Sequence, residues 1–362
     1  MNEDIGVTKA RPAGAAAVWE EIEARRANPG APRDTKLCLA IEGGGLRGVV
    51  SAGMVAALWT HGIRADLFDE IYGSSAGALN GAYFIDGAIP EALPLYYRDV
   101  PQFFLRWSRL LRGQPLLALD PLVDETIVRD RPLDFDAVIS SGKLHAVAAD
   151  IGETAALGRS HPQPVRTECF PAARTQAELQ GYFRASTRIP LVGGPPVSLS
   201  DAPHREGGPR DAPHSYLDAF VTEGVPFEAA VDRGATHLLV ATTKPFGLPR
   251  AEPAIVNWYT IKRLARHNPT LRDAYARIGE DAHQRGERIL ALQQSADVPA
   301  PGSPAVWCIG PDEPIAVPRM SPDPDRILAA AQAAYQLVCR ELGVEVPERF
   351  ETDPEFRAIT ST

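Results

Sequence analysis

Gly73-Ser74-Ser75-Ala76-Gly77 is the stretch whose residue types point most directly to chemistry. An apolar run, Leu67 to Tyr72, leads into it, and the small-residue run Ala78-Leu79-Asn80-Gly81-Ala82 follows. This order predicts a strand, a sharp turn and a helix, with serine at the bend. Glycines two positions either side of Ser75 let the backbone turn without Cβ clashes, so the hydroxyl stands exposed above a sheet. A serine in that setting is a candidate nucleophile, and a nucleophile of this kind needs a base.

About 30 residues upstream lies a second glycine cluster, Glu42-Gly43-Gly44-Gly45-Leu46-Arg47-Gly48, after the apolar run Lys36 to Ile41. The amides of Gly44, Gly45 and Leu46, with the positive end of the next helix, suit the anion that forms on an attacked carbonyl. Arg47 adds a cation to the same region. A competing reading exists. Gly43-x-Gly45-x-x-Gly48 also fits a dinucleotide fingerprint, with Asp66 and Asp69 roughly 20 residues on as ribose ligands. That reading gives the Ser75 turn no role.

Elements that would hold these loops can be read along the chain. Helices are expected over 15–27, 48–60, 175–186, 227–233, 268–294 and 325–342, and strands over 36–41, 67–72, 144–150, 237–243 and 305–309. Asn268-Pro269 reads as an N-cap and first-turn pair, and His61-Gly62 as a helix stop. Strands alternating with helices predict an α/β chain with a mainly parallel sheet covered on both faces. The division expected is a helical extension at 1–35, a main domain at 36–345 with its core motifs in 36–245, and a tail at 346–362.

Composition narrows the function classes. The chain has 362 residues, 44% of them hydrophobic, and a net charge of −9. It is globular in composition and carries no electrostatic footprint for nucleic acid. No apolar run reaches membrane-spanning length and no basic-then-apolar leader opens the chain, so a cytoplasmic location is expected. Cys38, Cys169, Cys308 and Cys339 form no CxxC pair, which argues against a zinc site. No loop has the spacing of a calcium-binding EF-hand, and no cofactor is implied. Residues 96–112 interleave Tyr96, Tyr97, Phe103, Phe104 and Trp107 with Arg98, Arg106, Arg109 and Arg112. They read as an amphipathic helix on the core or as a segment that touches a membrane surface transiently. The tetrapeptide Asp201-Ala202-Pro203-His204 recurs as Asp211-Ala212-Pro213-His214, within a stretch expected to be a solvated loop.

The run Leu39 to Gly48, followed by Gly73-Ser74-Ser75-Ala76-Gly77-Ala78, resembles the patatin-like phospholipase family. Further matching segments are Arg184 to Pro190, Asp218 with Val225-Pro226-Phe227, and Gly234-Ala235. The resemblance spans residues 36–245 in the family's order. It implies a three-layer α/β/α fold and hydrolysis of lipid acyl esters by a Ser-Asp dyad. Ser75 would be the nucleophile and Asp218 its base. Gly43, Gly44, Gly45, Leu46 and Arg47 would form the oxyanion loop, and Gly73, Ala76 and Gly77 the elbow around Ser75.

One departure stands out. Asp218-Ala219-Phe220 replaces the family's Asp-Gly-Gly or Asp-Gly-Ala. If the glycine position needs positive φ, alanine is strained there and the carboxylate moves from Ser75. Asp201 and Asp211 are then spare acids, and a catalytically inactive lipid- or protein-binding module is the alternative. An ordinary Ser-Asp-His order would have to draw on His237, His267 or His283.

Overall fold

The computed structural model describes residues 11–104, 112, 115, 117, 119–154, 164–190, 192–200, 212–246, 268–315, 317, 323–353 and 356. Its centre is an eight-stranded sheet in the order β5-β6-β3-β2-β1-β7-β8, with β4 also paired to β3. The strands are β1 Leu37–Ile41, β2 Glu70–Ser74, β3 Leu144–Glu153, β4 Arg166–Cys169, β5 Val197–Leu199, β6 His214–Asp218, β7 His237–Ala241 and β8 Ala305–Ile309. From β3 through β2, β1 and β7 to β8 every pairing is parallel, while β4, β5 and β6 are antiparallel additions.

β1 is a continuous apolar run because both of its faces are covered. Its alternating side chains part into two cores. Leu37, Leu39 and Ile41 join one cluster, and Cys38 and Ala40 join the other. β7 divides likewise, with Leu239 and Ala241 on the first side and Leu238 and Val240 on the second. The first core is closed by helices α1 Ala13–Ala27, α2 Gly48–Thr60, α3 Ala76–Asp86 and α9 Pro324–Leu342. The second is closed by α7 Phe227–Asp232 and α8 Thr270–Gln294. Further helices are α4 Ile89–Pro94, α5 Phe135–Ser141 and α6 Gln176–Thr187, with π-helical segments at Leu95–Phe104 and Leu122–Asp130. The α/β/α layering expected from the alternation is therefore the observed architecture. α1 shares the first core through Val18 and Ile22, with Trp19 edge-on to Trp307 of β8. At the other end of the chain, Phe350 and Phe356 are buried in that core as well.

Two expectations need correction. The strand expected over 67–72 begins at Glu70 and runs to Ser74, because Ala65–Leu67 form a 3₁₀ turn. The stretch expected to be a solvated loop contributes β5 and leads into β6, whose His214 pairs with Asp150 at 2.9 Å. The first copy of the repeated tetrapeptide and Asp211 lie outside the described residues. Asn268 caps its helix as expected: Pro269 is already helical, and the Thr270 amide at the start of α8 donates to Asn268 Oδ1 at 3.0 Å.

Two features of this frame fix where the loops go. β2 ends at Ser74, opposite Val147 of β3, while β3 continues past that point. Antiparallel β6 pairs along the overhang and brings its last residue, Asp218, opposite Ala148. The ends of β2 and β6 thus meet across one strand. α2 meanwhile lies tight on α9, because Gly53 leaves room for the Ala331 carbonyl. A Cβ at Gly53 would sit 2.4 Å from that oxygen. Gly53→Ala is expected to destabilise the fold by roughly 1–3 kcal/mol through overpacking, read as a lower urea midpoint with an unchanged slope.

Candidate active site

The segment Gly73–Gly77 is a strand-turn-helix, as the sequence suggests. Ser75 sits at the bend with φ 54° and ψ −125°, the sole non-glycine residue with positive φ among the described residues. Such a conformation costs of order 1–3 kcal/mol and persists only where the surroundings enforce it. Three sets of contacts do so here. The Ser75 amide donates to Ser186 Oγ at 2.8 Å, and Ser186 in turn donates to the Val147 carbonyl at 2.5 Å. Ser74 Oγ donates to the Glu223 carbonyl at 2.9 Å. Gly73 packs on the α3 backbone, where a Cβ would lie 2.4 Å from Ala78 Cα, and Gly77 packs on the Ile41 carbonyl, 2.2 Å from its own virtual Cβ.

Ser75 Oγ donates to Asp218 Oδ2 at 2.6 Å, across 143 residues of sequence. Both side chains belong to buried residues, with Asp218 1% and Ser75 5% exposed. A short bond to a carboxylate in a dry setting is of the stronger, charge-assisted kind. The carboxylate is oriented at its other oxygen, where Oδ1 accepts the Phe220 amide at 3.0 Å, and the Asp218 amide donates to the Arg188 carbonyl at 2.9 Å. Ala219 causes no strain. It has no positive φ, begins a 3₁₀ turn, and is fully buried in the second core. The displacement of Asp218 expected from the missing glycine therefore does not occur.

The glycine loop lies directly against this pair. A Cβ on Gly43 would fall 2.1 Å from the Ser74 carbonyl oxygen and 2.7 Å from Ser75 Cβ. Gly44 (φ 154°) and Gly45 (φ 59°) adopt backbone angles that disfavour side chains, and Gly45–Arg47 form a 3₁₀ turn opening α2. The Arg47 amide is used inside that turn, bonded to the Gly44 carbonyl at 3.1 Å. Its side chain folds back over Gly44, with Nε 3.3 Å from the point a Cβ would occupy. Leu46 is buried in the first core. The first amides of a helix have no partner within it, which leaves those of Gly44, Gly45 and Leu46 as the candidate anion donors.

Several residues that hold the loop carry no motif in the sequence. Buried Glu42 accepts the Thr243 amide at 2.6 Å, and Thr243 Oγ1 donates to the Gly43 carbonyl at 3.2 Å, stapling the loop to the end of β7. Ser51 Oγ donates to the Glu42 and Gly48 carbonyls, and Asn80 Nδ2 donates to the Gly48 carbonyl at 3.0 Å. Tyr96 donates to Asn80 Oδ1 at 2.8 Å. Tyr96 is thus buried and inward-facing, as the core-packed reading of its segment expects. Residues 105–111 of that segment lie outside the described residues. Glu42, Asn80, Tyr96 and Ser186 all lay in runs that had drawn notice, but their residue types gave no sign of these positioning contacts.

Rival assignments find no support in the geometry. Asp69 Oδ2 accepts the Leu37 amide at 2.8 Å and Arg25 at 2.8 Å, so it lies at the start of β1, the opposite sheet edge from the glycine loop. His237 opens β7 beside Leu37 at that same far edge, and His283 pairs on α8 with Glu287. His267 and Asp201 lie outside the described residues. No helix of the described residues is long and apolar enough to cross a membrane.

The chain also resembles known proteins. A family model described as patatin-like phospholipase matches residues 39–231, which takes in the glycine loop, the Ser75 turn and Asp218. The uncharacterized protein YjjU of Escherichia coli (strain K12) is similar, with 27% identity over 216 residues. That match covers 58% of this chain and 52% of YjjU, so the chain spans about half the length of that relative.

Gly43→Ala is expected to force the loop off the Ser74–Ser75 peptide, since a contact of 2.1 Å to a backbone oxygen has no room to relax. Labelling of the Ser75 hydroxyl by a fluorophosphonate should slow by about 100-fold, the loss typical of a misplaced anion donor. Intact-mass kinetics would register it.

Proposed function

The chain belongs to the patatin-like phospholipase family, and from that premise we propose that it is a serine acyl hydrolase of lipid esters, of phospholipase or lysophospholipase type, working through Ser75 and Asp218. The observation that carries the proposal is the buried 2.6 Å bond from Ser75 Oγ to Asp218 Oδ2, with the glycine loop packed on the Ser75 backbone.

The residues divide the reaction as follows. Ser75 Oγ attacks the ester carbonyl while its proton passes to Asp218 Oδ2. The oxygen of the tetrahedral adduct gains negative charge beside the Gly44, Gly45 and Leu46 amides and the positive end of α2. Collapse of the adduct breaks the acyl–oxygen bond, and the departing alcohol or lysolipid takes the proton from Asp218. Water then attacks the acyl-Ser75 ester, giving a proton to Asp218 that returns to Ser75 Oγ as the fatty acid leaves. The Phe220 amide on Oδ1 and the Arg188 carbonyl on the Asp218 amide keep the carboxylate aimed throughout. Because the Ser75 amide is occupied by Ser186, the charge falls to the glycine loop alone on this side of the carbonyl.

A non-catalytic lipid- or protein-binding module was motivated by Ala219 in the place of glycine. The relaxed backbone there removes that motive and favours turnover. Three substitutions separate the two readings. Ser75→Ala should abolish both fluorophosphonate labelling and hydrolysis of short-chain nitrophenyl esters. Asp218→Asn should lower turnover by at least about 100-fold while the fold is kept. Ala219→Gly should leave turnover unchanged. Labelling that survives Ser75→Ala would move the nucleophile elsewhere, and a wild-type chain without ester turnover would favour the binding module.

A further inference from the structure

The far end of α2 carries a second cluster of reactive side chains, unrelated to acyl transfer. His61 caps α2, Cys339 lies in the last turn of α9, and Asp353 follows the short 3₁₀ turn Phe350–Thr352. Their ligand-type atoms all lie within 4.8 Å of one another, the one group of three His, Cys, Asp or Glu so placed among the described residues. We propose that His61 Nε2, Cys339 Sγ and Asp353 Oδ2 bind a zinc ion that fastens the C-terminal segment to the α2–α9 pair.

Distances carry the argument. His61 Nε2 lies 3.6 Å from Asp353 Oδ2 and 3.5 Å from Cys339 Sγ. The first is too long for a hydrogen bond between nitrogen and oxygen. Both match the edges of a zinc tetrahedron, which bond lengths of about 2.0–2.3 Å set at about 3.3–3.7 Å. The second is also the length of a sulfur–nitrogen hydrogen bond, so it is the convergence of all three ligand atoms that points to a shared cation. The donor set of nitrogen, sulfur and oxygen is the one zinc selects.

The surroundings supply the orienting partner that metal ligands usually have. Tyr335 donates to Asp353 Oδ2 at 2.9 Å and fixes the carboxylate. Tyr335, Phe350 and Phe356 pack tilted or edge-on against one another beside the cluster, so the ligands sit against buried apolar rings. Cys339 and Asp353 are buried and the His61 side chain is 10% exposed. On binding, the thiol proton leaves to solvent, the imidazole binds as the neutral base, and the fourth position takes water. Affinity must therefore fall as pH drops. The wide sequence separation of the ligands explains why no CxxC-type spacing announces them. The site is separate from the glycine loop: α2 spans 13 residues, about 20 Å, between them.

The test uses the whole chain purified without chelator. Metal analysis should find one zinc per chain, and cobalt loading should give the thiolate charge-transfer band of a tetrahedral sulfur-ligated site. Chelator should lower the melting temperature of the wild type by several degrees, and zinc should restore it. Cys339→Ser and the gentler Asp353→Asn should both lose the metal and the chelator response, while Cys308→Ser keeps them. Fluorophosphonate labelling of Ser75 should proceed in all of these variants, which separates this site from the reading of Ser75. Zinc that fails to load at equimolar concentration, a cobalt spectrum without a thiolate band, or a melting temperature indifferent to zinc and chelator would each overturn the proposal.

Discussion

A peptide with no side chain pressed against the Ser74–Ser75 peptide is the constraint on which the site depends. Gly43 can approach that closely because it has no Cβ, and the approach does two things together. It brings the opening amides of α2 over the serine, and it helps hold Ser75 in a backbone conformation that its own side chain disfavours. Most of the buried polar bonds nearby serve this contact. Glu42 and Thr243 tie the loop to β7, Ser51 and Asn80 tie it to α2 and α3, and Ser186 fixes the serine from below. A buried polar network is worth its desolvation only when its members are satisfied, and here they are bonded chiefly to backbone groups. That makes the network a device for setting loop geometry rather than for adding affinity between side chains.

The sheet contributes the second requirement, register. β3 outruns β2, and the overhang accepts β6 in the antiparallel sense. Had β6 been parallel, its carboxyl end would have pointed away from the Ser75 turn. The mixed sheet is therefore part of the site. It is also the feature that sequence patterning conveyed least. The five parallel strands are apolar on both faces and stand out as continuous runs. β4, β5 and β6 are short, carry polar residues such as Arg166, Glu168 and His214, and resemble loops by composition.

The same contrast runs through the site residues. Ser75 and the three glycines were readable because their conformations restrict residue choice: positive φ at Gly44 and Gly45 and the contact at Gly43 admit little else. Asp218 was readable through the matching segments around it. Glu42, Ser51, Asn80, Tyr96 and Ser186 were not assigned roles, since a hydrogen bond to a group distant in sequence leaves no periodicity or spacing behind. Ala219 misled in the other direction. A glycine in a family pattern suggests a left-handed backbone, yet here the residue opens an ordinary 3₁₀ turn and its methyl group fills core space.

The 143-residue separation between the two ends of the Ser75–Asp218 bond has a consequence for the nascent chain. Serine and glycine loop leave the ribosome together, whereas the acid follows only after roughly 7–30 s of further synthesis at ordinary elongation rates. Until β6 docks on the overhang of β3, the alcohol has no carboxylate beside it. The partly made chain thus carries the Ser75 hydroxyl without its acceptor, and the antiparallel strand β6 is what supplies it.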